Sequence, residues 1–267
     1  MKKKKILRVF IALISLFLLV FISYLAYLFF SYHRLPDNQA IEIKKAQQIT
    51  NKNNDKNKYK ITTFNIGYAA NPYNYSFFMD GGKYARGFSK ENVQQNLEGI
   101  IRQVQKTQPD FVLLQEVDSD ATRSYHIPQE KQIMQAMPEM NAAFALNYDS
   151  AYLFYPFTEP IGKSQSGLLT LSRETIHQST RYQLPIETNL NKFTDYDRAF
   201  TISLIATTPK PLALINVHLS AFTKDSYVNL VDGFIVSEDI QVNHLKVWDH
   251  HFQYSDHNPV TMTFEIK

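Results

Sequence analysis

Near the end of the chain, Ser255-Asp256-His257-Asn258-Pro259-Val260 sets a carboxylate beside an imidazole, just ahead of a run that alternates like a strand. Such a pair at a sheet edge can bind a metal-held phosphate and move a proton. Upstream segments carry polar residues where a core strand would want none. Asn65 interrupts Lys60-Ile61-Thr62-Thr63-Phe64-Asn65-Ile66, Glu116 follows Val112-Leu113-Leu114, and His218 follows Leu214-Ile215-Asn216-Val217. A carboxylate at a buried strand exit is costly unless it is paired or bound to a cation. Oxygen donors from Glu, Asp and an amide suit Mg²⁺ or Mn²⁺. Taken singly, each residue has an ordinary reading: Asn65 as a turn, Glu116 as a strand-end surface residue, His218 as a satisfied histidine. Asp232-Gly233 alone is a common turn. His250, His251 and His257, three imidazoles within eight residues, also allow a zinc cluster.

These residues need strands that end together. Residues 60–66 are β-branched and aromatic up to Gly67, which predicts a strand. Ser89 can cap a helix whose Val93, Leu97, Ile100, Ile101 and Val104 recur at helical spacing, with Pro109 closing it. Asp110–Val117 then reads as a buried strand, completing a strand–helix–strand unit. Further strands are expected at 151–155, 167–172, 198–206, 211–218, 231–236 and 258–266, and 126–150 reads as partly helical. Strands outnumber helices in the second half, which points to two packed sheets with helices outside them.

The order of the segments is what gives them weight. Thr63-Phe64-Asn65-Ile66, Leu114-Gln115-Glu116-Val117-Asp118, Asn216-Val217-His218-Leu219-Ser220, Val231-Asp232-Gly233-Phe234 and the closing Ser255–Val260 run resemble the endonuclease/exonuclease/phosphatase family over about 58–267. The resemblance implies an α/β four-layer sandwich: two packed mixed β-sheets flanked by helices. It implies Glu116 as the main divalent-metal ligand, Asp256 beside the metal, and Asn65 orienting bound phosphate or water. His257 becomes the proton-transfer residue with Asp232 as its partner, His218 a second acid or phosphate contact, and Arg198 a phosphate-binding residue. The carboxylate that supports the second histidine in some members has no counterpart here, and Ser166 stands nearest to its position. The same resemblance explains His257 better than a zinc cluster does.

The family pattern also contains a Gly-Asp-x-Asn segment that positions the nucleophile and phosphate. This sequence has none: its Asp-x-Asn triplets are Asp55-Lys56-Asn57, ahead of the first strand, and Asp256-His257-Asn258 itself. Only thirteen residues, Leu219 to Val231, separate His218 from Asp232. The expectation is an internal deletion that shortens the domain between 219 and 231, leaves the sandwich incomplete in its second half and slows catalysis.

At the other end, Lys2–Lys5 precede an apolar run, Ile6–Phe30, broken by one charge, Arg8. As a helix, 25 residues would span about 37 Å, enough to cross a bilayer. A cleavable signal would have a shorter apolar region and small residues at its end, whereas Tyr27-Leu28-Phe29-Phe30 ends this one. The expected organisation is therefore a basic cytoplasmic tail (1–5), a signal-anchor transmembrane helix (6–30), a polar linker (31–58) and the folded domain (59–267). The lysine cluster predicts a cytoplasmic N-terminus and an external body at the cell membrane.

The chain's net charge of +3 belongs to this anchor: five basic residues lie in the first eight positions and none of the first thirty is acidic, which leaves 23 basic against 25 acidic residues. A body so close to neutral lacks a broad footprint for nucleic acid. The absence of cysteine excludes disulfides, thiolate zinc sites and thiol catalysis. The expected partners are the lipid bilayer and a phosphoester substrate, either nucleic acid or a phospholipid head group, with no obligate protein partner. The expected function is metal-dependent phosphoester hydrolysis at a reduced rate or none. The alternative is an inactive relic or binding module of the same ancestry.

Overall fold

The computed structural model describes residues 2–48, 56–186, 189, 192, 197–219 and 232–267. The expected shortening between 219 and 231, and the part of the expected linker at 49–55, lie outside these residues.

Helix α1 (Lys2–Ser31) is long and apolar enough to cross a membrane, and none of its residues is buried in the body. Strand β3 (Lys58–Asn65) opens the body and runs parallel to β4 (Phe111–Ala121). Between them lies α2 (Lys90–Lys106), whose start is fixed by Ser89: its Oγ accepts from Asn92 N at 3.1 Å. Val93, Leu97, Ile100 and Val104 of α2 are buried, as their spacing predicts.

The larger sheet is mixed. Its order is β10 (Ile240–Val247), β11 (Val260–Ile266), β3, β4, β6 (Ser164–Ser172), β5 (Asn141–Asp149) and β2 (Ile43–Lys44). The smaller, β1 (Gln39–Ala40), β7 (Ile176–Gln183), β8 (Ala199–Ile205) and β9 (Leu212–Val217), pairs antiparallel throughout. Helices α2 and α3 (Gln129–Ala136) cover one face of the larger sheet over Phe64, Ile66, Leu114, Leu169 and Leu171. Tyr59, Ile61, Phe111, Leu113, Met262 and Phe264 meet Ile176, Ile205 and Leu214 in a second apolar layer between the sheets. Among the described residues no helix covers the outer face of the smaller sheet.

Several expected elements differ. Residues 151–155 form a loop with one bridge, Leu153 to Gly162, because Pro156 and Pro160 carry no N–H to donate to a ladder. Residues 232–236 are unpaired, with the strand coming later as β10. The helix in 126–150 stops at Ala136, and 141–149 is a strand, β5, between β6 and the short edge strand β2. The segment expected as a linker is laid along the body: β1 pairs with β7 and β2 with β5.

Candidate functional site

The strand periodicity of β3 sets its first member. Tyr59, Ile61 and Thr63 face the smaller sheet, and Asn65 continues that face at the strand end. β4 needs a further device. Leu114 and Val117 both lie in the core beneath the helices, although strict alternation would put them on opposite faces. The register explains it: three steps along β4, from Leu114 to Val117, match two along β6, from Leu169 to Gly167. The extra residue is a β-bulge, a common way to aim a side chain beside a functional site. Glu116 takes φ 54°, in the left-handed region, at an intrinsic cost of about 1–2 kcal/mol. Gln115 and Glu116 both project on the side of the smaller sheet as a result.

Glu116 Oε1 accepts from Asn65 Nδ2 at 3.0 Å and lies 3.3 Å from His218 Nε2, while its Oε2 takes no hydrogen bond among the described residues. Burial alone would raise the Glu116 carboxyl. The hydrogen bond and charge of His218, then Arg123 and Asn65, outweigh burial and hold it at about 2. Asn65 Oδ1 accepts from Gly67 N at 3.0 Å, so both ends of its amide are fixed.

His218 lies just past β9. Its Nδ1 is 3.3 Å from the carboxamide of Asn147, the extra residue of a second bulge between Leu146 and Tyr148 on β5. Ser166, the sequence's nearest candidate to support this histidine, is fully buried, and its hydroxyl takes no hydrogen bond among the described residues. Asn147 occupies that role instead. Arg198 Nη1 lies 3.5 Å from His218 Nε2 and donates to Leu219 O at 3.1 Å.

The closing motif meets this group from the other side. Ser255 Oγ donates to Asn65 O at 2.8 Å, which ties the loop before β11 to the end of β3. A Cβ on Gly67 (φ 52°) would stand 3.0 Å from Asp256 Oδ1 and 3.1 Å from Ser255 Oγ, so only glycine admits this approach. His257 Nδ1 sits 2.7 Å from Asp232 Oδ2. Burial pulls the His257 pKa down, but the bond to Asp232 and the charges of Asp256, Asp232 and Glu116 leave it raised. Asp256 is pushed up to about 6, first by burial and then by the charge of Glu116.

All seven residues singled out in the sequence thus lie around one cleft at the strand ends. His250 and His251 do not join them: His251 is exposed beside Asp249, and among the described residues no group of three or more His, Asp or Glu side chains gathers as a metal cage. Sequence reasoning missed Asn147 and Asn216. Asn216 is wholly buried on β9 and donates to Leu114 O (3.1 Å) and Leu169 O (3.2 Å), carbonyls at the bulge, while accepting from Gln115 Nε2 at 2.7 Å. In the sequence it opens the Asn216–Ser220 segment, but nothing there assigns its side chain a task. Below the cleft, Arg123 and Asp118 form a buried two-bond ion pair (2.8 and 3.2 Å), with the guanidinium 3.8 Å over the Tyr68 ring.

Residues 62–227 match the profile described as the Endonuclease/Exonuclease/phosphatase family. That stretch contains Asn65, Glu116, Arg198 and His218 and stops short of Asp232, Asp256 and His257. Among solved structures, the chain resembles an endonuclease/exonuclease/phosphatase from Beutenbergia cavernae DSM 12333, with 14% identity over 79% of this chain and 72% of that one and a TM-score of 0.56. It also resembles an endonuclease/exonuclease/phosphatase family protein from Leptotrichia buccalis C-1013-b, with 11% identity over 78% of this chain and all of the other and a TM-score of 0.50. At these identities the two structures bear on fold alone. No curated protein sequence gives a significant match.

Proposed function

The chain belongs to the endonuclease/exonuclease/phosphatase family, and on that premise we propose that it is a membrane-anchored, extracytoplasmic, metal-dependent phosphoester hydrolase that turns over slowly. The observation that carries the reading is the 2.7 Å contact between His257 and Asp232, close enough to Glu116 for its charge to act on the imidazole. It pairs an imidazole with the carboxylate needed to orient it, in reach of a carboxylate fit for a cation.

The donor set suits a hard divalent ion. Among the described residues Glu116 Oε2 takes no hydrogen bond, and Asp256 Oδ1 lies 3.4 Å from Ser255 Oγ, whose shorter bond, 2.8 Å, goes to Asn65 O. Two carboxylates with an amide are too few for a calcium cage, but Mg²⁺ keeps several waters and needs only one or two carboxylates plus substrate phosphate. Glu116 and Asp256 would hold Mg²⁺ or Mn²⁺, which when bound neutralises phosphate charge and favours attack by water.

The chain's own residues supply the rest. Asp232 holds Nδ1 of His257, so Nε2 is the atom that exchanges a proton with the reacting oxygens. Arg198 and Asn65 hold phosphate oxygens. His218, kept in place by Glu116 and Asn147, is a second phosphate contact or acid. The sequence has no Gly-Asp-x-Asn limb to position the attacking water, and for that reason the rate is low.

The test is hydrolysis of bis-p-nitrophenyl phosphate by the full chain in detergent, with Mg²⁺ or chelator, beside His257→Ala. Mg²⁺-dependent turnover lost in the variant supports the enzyme. Turnover no greater than that of the variant, from folded protein, overturns it and leaves the binding-module reading. The anchor reading fails if the protein is secreted with its N-terminus trimmed near residue 30.

A further inference from the structure

The loop between β5 and β6 is fastened to the apolar helix. Tyr27 Oη accepts from Tyr152 N at 2.9 Å, and Tyr24 Oη accepts from Phe154 N at 3.2 Å while donating to Tyr152 O at 3.3 Å. The Tyr24 ring also meets the Phe154 ring edge-on at 5.2 Å. Both tyrosines belong to the apolar run. Counting about 20 residues for the hydrocarbon layer from Val9, the first residue beyond Arg8, places its outer boundary near Leu28. Tyr24 and Tyr27 therefore lie within about 6 Å of that boundary at about 1.5 Å per residue. Whatever is bonded to them is held at the same depth.

The loop has the chemistry for that depth. Phe154, Tyr155 and Phe157 are 49%, 61% and 84% exposed, a run of aromatic surface anchored on one side by the Tyr155 ring against Phe78 at 5.7 Å. Between Tyr152 and Gly162 the one charged residue is Glu159. Irregular backbone tolerates a low-water layer only if its polar groups are paired. Here the phenols satisfy Tyr152 and Phe154, Leu153 and Gly162 exchange both bonds at 3.1 Å, and Ile161 N donates to Tyr155 O at 3.3 Å. Tyrosine and phenylalanine with one wet edge are the side chains that partition to a bilayer interface.

We propose that the loop 152–162 seats the body in the outer leaflet, its aromatic tip inserted among the head groups, so that the cleft opens at the level of lipid phosphates. The proposal rests on the membrane-anchor reading and narrows the substrate to a phosphoester presented at a lipid surface. The cleft is close to the helix exit. On β5, Asn147 touches His218, while Asp149, two residues on and about 7 Å further along the strand, lies 3.6 Å from His33, two residues past the helix. Arg34 and Leu35 N both bond Asp197, next to Arg198.

The chain's lack of cysteine makes a direct test clean. The full chain, carrying Phe157→Cys, Phe17→Cys or Lys267→Cys with a bimane label, is reconstituted in phosphatidylcholine–phosphatidylglycerol vesicles. Quenching by shallow and by deep nitroxide lipids and by aqueous iodide is then read. The label at position 157 is expected to be blue-shifted, quenched by the shallow nitroxide and protected from iodide. The label at 267, at the far end of β11, is expected to show none of these. Tyr155→Cys repeats the reading at a second exposed position. If 157 and 155 behave like 267 while 17 is lipid-quenched, the seating proposal is overturned and the anchor stands. If 157 is shielded from iodide yet untouched by nitroxide lipid, protein covers the loop and the proposal is equally overturned. If 17 is not lipid-quenched, the anchor reading falls and takes the proposal with it.

Discussion

Gln115 donates to Asn216 at 2.7 Å across the space between the two sheets, one residue before the glutamate at the centre of the cleft. Both residues are buried, and Asn216 closes the network by donating to Leu114 O and Leu169 O. The bulge that aims Glu116 is therefore held from the opposite sheet. Asn216→Leu removes three buried hydrogen bonds at once: Gln115 keeps only its longer bonds to Thr63 Oγ1 (3.2 Å) and Leu113 O (3.3 Å), and the carbonyls of Leu114 and Leu169 lose a donor in an apolar layer. At about 1–3 kcal/mol for each unsatisfied buried group, the expected loss is about 3 kcal/mol or more. Denaturant unfolding measures it, and a loss under ~1 kcal/mol would show that water or relaxation replaces the network.

Asp232→Asn tests the orientation of His257 without altering its size. The amide cannot hold the imidazolium as the carboxylate does, and hydrolysis is expected to fall by about 10²–10⁴-fold while the fold survives. Unchanged turnover would remove Asp232 from the mechanism.

Mg²⁺ binding is measurable without activity. A cation held by Glu116 and Asp256 binds only the folded chain, so Mg²⁺ is expected to raise the unfolding temperature, with the midpoint climbing as concentration rises. Glu116→Gln removes one ligand and is expected to abolish most of that rise. The same rise in the variant would locate the ion elsewhere.

Glu130 offers a pH test away from the cleft. It is buried in the first turn of α3, its Oε2 has no hydrogen-bond partner among the described residues, and burial raises its pKa above the usual carboxylate value. The folded state then holds its proton to higher pH than the unfolded state, so stability falls as pH rises from the unfolded pKa through the folded one. Glu130→Gln is expected to flatten that slope and raise the unfolding temperature at pH 7. A variant less stable at pH 7 than the parent refutes the account.

The parts of the fold legible in the sequence are those whose side chains carry their own periodicity. β3, α2 and β4 follow from β-branched runs and helical spacing, and β9 and β11 from alternation. β5 is hidden because Asn141-Ala142-Ala143-Phe144-Ala145 packs small residues against a neighbouring strand, a choice set by tertiary contact. β7 is mostly polar, and β10 is almost wholly exposed. In the cleft, the motif residues could be named from the chain alone. Asn147 could not, since it depends on a bulge, and the task of Asn216 within its motif is hidden, since it depends on the distance between two sheets.

The contacts of Arg34 and Leu35 with Asp197 come three and four residues after the helix ends. A free tether of the length first expected for 31–58 would let the body roam about 25–30 Å from its anchor, at roughly 5–6 Å times the square root of the residue number. Pinned at once, the body has almost no reach. On the proposed membrane-anchored reading, its encounters would become those of a particle confined to a plane, where turnover would answer to the surface density of substrate in its own leaflet and be blind to material a few nanometres above it.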